Sequence, residues 1–165
     1  MKRNRVDVCC LLETNLSFSK VGLMHNFWLK SWKYLSNSVA ASYARIVISW
    51  NPSIVNIDLF DFSAQAIHVL ISSLETYSMF FATFVYGFNT ILARRSLWED
   101  LRRWCPSSHW IVLGDFNSIL SQEDKHNGAY VTSYEVSNFR ECCINLGIAD
   151  LNSIGCFFTW SNGHV

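Results

Sequence analysis

The sequence predicts a four-layer α/β/β/α sandwich, two mostly antiparallel sheets packed face to face with helices outside. Three observations carry that expectation. Apolar runs of strand length follow one another through the first half of the chain, with gaps too short for crossover helices. The hydrophobic period then turns helical, and strands and helices alternate to the end. Finally, half of the 165 residues are apolar and 15% aromatic, while only 16% are charged. Such a composition suits a large buried interior, or a fragment whose covering elements are lost, and argues against disorder. The length fits a single domain over residues 1–165.

The elements follow in order. Val6–Leu12 is a short apolar run with Asp7 near its start, and it stops at Glu13-Thr14-Asn15. It reads as a buried strand whose end exposes a carboxylate. Val21, Met24, Phe27 and Trp28 stand at helical spacing and predict a helix over Ser19–Trp28. Arg45–Trp50 tends to a β-branched run ended by Asn51-Pro52, a strand and its turn. Ile54–Asp58 and Ala66–Ser72 read as further strands, Leu74-Glu75-Thr76-Tyr77 as a polar connection, and Met79–Val85 as the last strand of an antiparallel meander. Leu97, Trp98, Leu101 and Trp104 then mark an amphipathic helix stopped by Pro106. Trp110–Leu120 is expected to be a buried strand segment delivering Asp115 and Asn117. Thr132 and Glu135 have capping-box spacing. The helix behind them should bury Val136, Phe139, Cys143 and Leu146 and end at Gly147. Phe157–Trp160 begins another strand.

Lys plus Arg and Asp plus Glu each number 13, so the net charge is zero and nothing global advertises a nucleic-acid binder. The pairs Arg94-Arg95 and Arg102-Arg103 read as solvated helix faces. Neighbouring cysteines, as at Cys9-Cys10 and Cys142-Cys143, lack zinc-site spacing and read as small buried thiols in a reducing compartment. The longest apolar run, Met79–Phe88, is about half of what spans a bilayer, and the N-terminus has no signal-type apolar region. The expectation is a monomer inside the cell with no membrane partner.

Chemistry is suggested where strands end. After four apolar residues comes Gly114-Asp115-Phe116-Asn117, a charged acceptor and an amide two residues apart, which alternation would place on one face. Such a pair can orient and deprotonate a water, or hold a phosphate oxygen or hydrated cation. A turn in which Asp115 bonds local amides is an equal reading of the tetrapeptide alone. Glu13 suits Mg²⁺, which is commonly held by one or two carboxylates plus waters and phosphate. By itself it reads more readily as a solvated loop acid. Tyr86-Gly87-Phe88-Asn89 sends a phenol and an amide out of a strand end together, although in isolation it reads more readily as a turn with Tyr86 as ordinary core.

Leu-Glu-Thr around Glu13, Val-Tyr-Gly-Phe-Asn around Tyr86, Gly-Asp-Phe-Asn around Asp115, and Phe-Phe-Thr-Trp-Ser-Asn around Thr159 occur in that order. Together they resemble the endonuclease/exonuclease/phosphatase (DNase I-like) superfamily. The match is nearest to the endonuclease domain of plant LINE-type, non-LTR retrotransposons. Ala93-Arg94-Arg95-Ser96-Leu97-Trp98 and Arg45-Ile46-Val47-Ile48-Ser49-Trp50-Asn51-Pro52 are typical of that branch. The resemblance implies Glu13 as the metal-binding carboxylate, Tyr86 and Asn89 beside the scissile phosphate, Asp115 as the base for the attacking water, and Asn117 as its orienting partner. Thr159 and Trp160 would lie on a DNA-facing edge. It implies Mg²⁺ or Mn²⁺ as cofactor and DNA as substrate, hence a nuclear location; His68 is a strand residue outside these motifs. The resemblance also implies a domain incomplete at both ends, lacking an initial strand ending in asparagine and a final histidine, with phosphodiester hydrolysis impaired accordingly. The other outcomes are a non-catalytic remnant of a retrotransposon reading frame, a partner-binding module presenting an exposed aromatic face, or a phosphatase of the same superfamily.

Overall fold

A computed structural model of the chain describes residues 6–40, 43–125 and 130–152. In order these form strand β1 (Val8–Leu16), helix α1 (Phe18–Trp28), strands β2 (Lys33–Ser36), β3 (Ala44–Trp50), β4 (Val55–Phe62), β5 (Ala66–Ser73) and β6 (Met79–Tyr86), helix α2 (Ile91–Trp104), strand β7 (Trp110–Asp115) and helix α3 (Ser133–Leu146). Backbone contacts divide the chain into two compact units, Met1–Asn117 and Ser118–Val165.

The first unit is the sandwich. One sheet has the antiparallel order β1-β3-β2, and the other runs β4-β5-β6-β7. Every second residue of β3, β5 and β6 points into the space between the sheets, as the strand period requires. Ile46, Ile48 and Trp50 thus meet Val55, Ile57, Ile67, Val69, Ile71, Ala82, Phe84 and Tyr86 in one buried cluster. The alternate faces carry the helices. Val21 of α1 packs on Val47 of that face and on Ala44 at the start of β3. Against the second sheet, Gln65 donates to the Ala93 carbonyl and Ser96 hydroxyl of α2, and Trp104 lies 5.0 Å from the His68 ring. The predicted layers are therefore present.

Several expectations are corrected. The meander holds for β4-β5-β6 only, because β3 belongs to the other sheet and β7 joins β6 in parallel after α2. β2 was not foreseen; it is four residues long and carries no alternation to read. The strand from Trp110 stops at Asp115 and is half-buried to exposed; among the described residues it is the last strand of its sheet. β1 runs through Glu13 to Leu16 instead of ending at it. Arg94 is 6% exposed, not solvated, and its Nη1 donates to the Phe88 carbonyl at 2.8 Å.

In the second unit, α3 opens on the predicted capping box of Thr132 and Glu135 and closes on Gly147 in the left-handed conformation. It buries Val136, Phe139 and Cys142; Cys143, one position off that stripe, and Leu146, in the last turn, are only half-buried. Thr159, Trp160 and the strand expected at Phe157–Trp160 lie outside the described residues.

Candidate active site

Glu13 reaches its position through an interruption of the β1–β3 ladder. Leu12 pairs with Ile46 and Leu16 with Ala44, so Glu13, Thr14 and Asn15 together face only Arg45. A bulge of this kind bends a strand and re-aims its side chains. Glu13 and Asn15 take positive φ values of 55° and 49°, and the Thr14 hydroxyl donates to the Ala44 carbonyl at 2.6 Å. The Glu13 carboxylate, turned out of the ladder, lies close enough to the phenol of Tyr86, at the end of β6 in the opposite sheet, to act on its ionisation.

Tyr86 is 3% exposed. Burial, then the Glu13 carboxylate, hold its phenol above the ordinary tyrosine range, with Asp115 adding to the effect and Arg45 opposing it. A buried phenol facing carboxylates keeps its proton and remains a donor.

Asp115 arrives by the parallel pairing of β6 with β7, which sets it directly beside Tyr86 in register. Two glycines make that approach possible. A Cβ on Gly114, at φ 136°, would collide with the Val85 carbonyl, and one on Gly87 would collide with the Phe116 carbonyl. The strand is then ended by a turn: the Asn117 amide donates to Asp115 Oδ1 at 2.8 Å, and Asn117 Nδ2 donates to the Gly87 carbonyl at 2.7 Å. Asn117 therefore does not share a face with Asp115 by strand alternation, as expected from sequence; at φ 47° it turns back, a conformation asparagine tolerates. The local-turn reading of Asp115 and its convergence on Tyr86 are both realised. Asn89 lies in the exposed connection into α2.

The structure adds residues the sequence did not single out. The Arg45 guanidinium lies over the rings of Tyr86 and Phe88, 5.7 and 5.4 Å from their centroids. Gln65 Oε1 accepts the Phe88 amide at 2.7 Å, fixing the connection that carries Asn89. Arg94 grips the Phe88 carbonyl from α2, and Asp115 contributes to its electrostatic surroundings. Only Arg45 had a visible signal, as the single charge opening an otherwise uncharged strand. No group of three His, Cys, Asp or Glu residues capable of holding a metal occurs among the described residues. The donors present, two exposed carboxylates flanking a phenol, fit a hard cation held mainly by water and phosphate, as Mg²⁺ commonly is.

No family model matches the sequence, and no curated protein matches it. Solved structures superpose on part of the chain. TDP2 of D. rerio, complexed with single strand DNA product, superposes with TM-score 0.50 at 13% identity over 86% of this chain and 52% of that one. The endonuclease domain of TRAS1, a telomere-specific non-LTR retrotransposon, gives 0.49 at 9% identity over 82% and 67%. The human Nocturnin catalytic domain with bound sulfate anion gives 0.48 at 15% over 71% and 53%. The chain spans about half the length of the TDP2 and Nocturnin structures. The fold is DNase I-like, a mixed α/β sandwich. No helix among the described residues is long and apolar enough to cross a membrane.

Proposed function

We propose that the chain is a phosphodiesterase of the endonuclease/exonuclease/phosphatase superfamily, of the LINE endonuclease type, acting on DNA with Mg²⁺ or Mn²⁺. The observation that carries this reading is the convergence of Glu13, Tyr86 and Asp115 from three strands and both sheets onto one place. An ordinary core tyrosine needs no such company.

Glu13 would hold the cation, which neutralises charge on phosphate oxygens and stabilises the leaving oxygen. Asp115 takes the proton of the attacking water. One of its oxygens is engaged by the Asn117 amide, which limits its rotation and leaves acceptor capacity on the carboxylate. Asn117, with its amide nitrogen pinned to Gly87, offers its carbonyl oxygen to orient that water. Once Glu13 turns to the cation, the protonated Tyr86 phenol has its one O–H to donate to a phosphate oxygen, and Asn89 stands three residues further along the same exit from β6. The contribution of these groups is position and preorganised dipoles.

The test is nicking of supercoiled plasmid DNA by the purified chain with Mg²⁺ present or chelated. Asp115→Ala should lower the rate about 10²–10⁴-fold, the usual contribution of a general base. Glu13→Gln should raise the Mg²⁺ needed for half-maximal rate. Nicking that survives Asp115→Ala undiminished, or a folded chain that nicks nothing, would overturn the proposal. The same assay with a phosphomonoester decides between a nuclease and a phosphatase.

A further inference from the structure

We infer that Arg45 is a substrate-binding residue that grips a non-bridging phosphate oxygen of the phosphodiester at the Glu13–Tyr86–Asp115 site. This inference rests on the function proposed above and names the group by which the chain itself attracts its substrate.

The site has a charge problem. Glu13 and Asp115 both bear on Tyr86, and two carboxylates repel a phosphodiester. A chain that binds one needs cationic groups of its own. Arg94 is buried and committed to the Phe88 carbonyl. Arg45 is half-buried, and no carboxylate among the described residues lies within ion-pair distance of it. Half-buried cations normally find a counter-charge. Its side chain is instead held by the faces of Tyr86 and Phe88. Contact through aromatic faces leaves a guanidinium's N–H groups at its edge, the fork that matches phosphate oxygens two at a time.

The backbone beneath is equally fixed. Asn37 Oδ1 accepts the amides of Arg45 and Ile46, each at 3.0 Å, and Asn37 Nδ2 donates to the carbonyls of Ser63 and Ala64. Arg45 also stands opposite the bulge that turns Glu13 outward. One backbone irregularity therefore presents the carboxylate and the guanidinium together. Lysine in this place would keep the charge and lose the fork.

Two assays on the full chain test it: plasmid nicking, and anisotropy of a fluorescein-labelled single-stranded DNA oligonucleotide over a salt series with chelator present. Arg45→Gln should raise KM about tenfold, the effect of losing one charge-assisted hydrogen bond, with a smaller change in kcat. It should also reduce the slope of log affinity against log salt by about one. Arg45→Lys should keep the slope and recover only part of the affinity. If Asp115→Ala abolishes nicking while Arg45→Gln leaves KM and slope unchanged, the Arg45 assignment fails alone. If nothing is nicked but Arg45→Gln still lowers the slope, the catalytic reading fails and the phosphate contact stands. A lowered melting temperature in Arg45→Gln with an unchanged slope would make Arg45 a prop for Tyr86 and overturn the inference.

Discussion

Glu13 occupies a backbone conformation that a side chain enters at a cost. At φ 55° its Cβ crowds the backbone, and unlike Asn117 it has no short amide to compensate locally. Three of the four described non-glycine residues with positive φ, Glu13, Asn15 and Asn117, stand at the candidate site. Strain gathered in this way marks positions held for their side chains and not for stability. The comparison of Glu13→Gly with Glu13→Ala isolates it. Both variants remove the carboxylate, and only glycine relieves the backbone. Glu13→Gly should be the more stable of the two by about 1 kcal/mol in urea melts, with metal-dependent nicking lost in both. Equal stabilities would show that the bulge carries no strain.

Between elements, the firmest polar tie lies behind the site. His68 of β5 shares a 2.9 Å hydrogen bond with Thr83 of β6, which also accepts from Trp110 Nε1 of β7 at 2.8 Å. Three neighbouring strands are thereby joined beneath Trp104 of α2. Burial pushes the His68 imidazole down to about 4 from its ordinary 6.5, with Asp100 and Asp61 opposing that shift. The unfolded chain thus takes up a proton below pH 6.5 that the folded chain refuses until about pH 4. Stability tied to His68 is complete above 6.5 and falls as the pH drops through that window, by about 3 kcal/mol in all. His68→Asn should flatten this part of the stability–pH curve, measured by thermal melts at stepped pH. Parallel curves for the two proteins would contradict it. Period-two apolar runs made β3, β5 and β6 legible in the sequence, and the capping box made α3 legible. Nothing in Leu12-Glu13-Thr14-Asn15 announces a bulge, because the extra residues are recognised only against the partner strand. Arg94 was misread for a similar reason. Its neighbours Arg95, Arg102 and Arg103 are exposed, and which arginine of a pair turns inward depends on the Phe88 carbonyl that it meets. Asp115 and Glu13 stand out in the sequence as carboxylates following apolar runs; their meeting at Tyr86 does not, since it needs both sheets in place.

At the scale of the molecule, the site draws on both sheets of the first unit: β1 and β3 from one, β6 and β7 from the other. The interior between them is continuous, from Ile46 to Tyr86. The pairing of β6 with β7 has a consequence for the order in which this assembly forms. β4, β5 and β6 are joined by short turns, so their ladders close over small loops. β7 pairs in parallel only after the whole of α2 has been threaded between Tyr86 and Asp115, and that longer loop must be closed before any contact repays it. The hairpins should therefore form early and β7 late. In stopped-flow experiments following tryptophan fluorescence, Val69→Ala in β5 should chiefly slow refolding, while Ile111→Ala in β7 should chiefly speed unfolding. Refolding slowed equally by both would refute this sequence of events. Until β7 docks, Tyr86 stands near Glu13 without Asp115, so the three groups of the candidate site come together only when β7 closes onto β6.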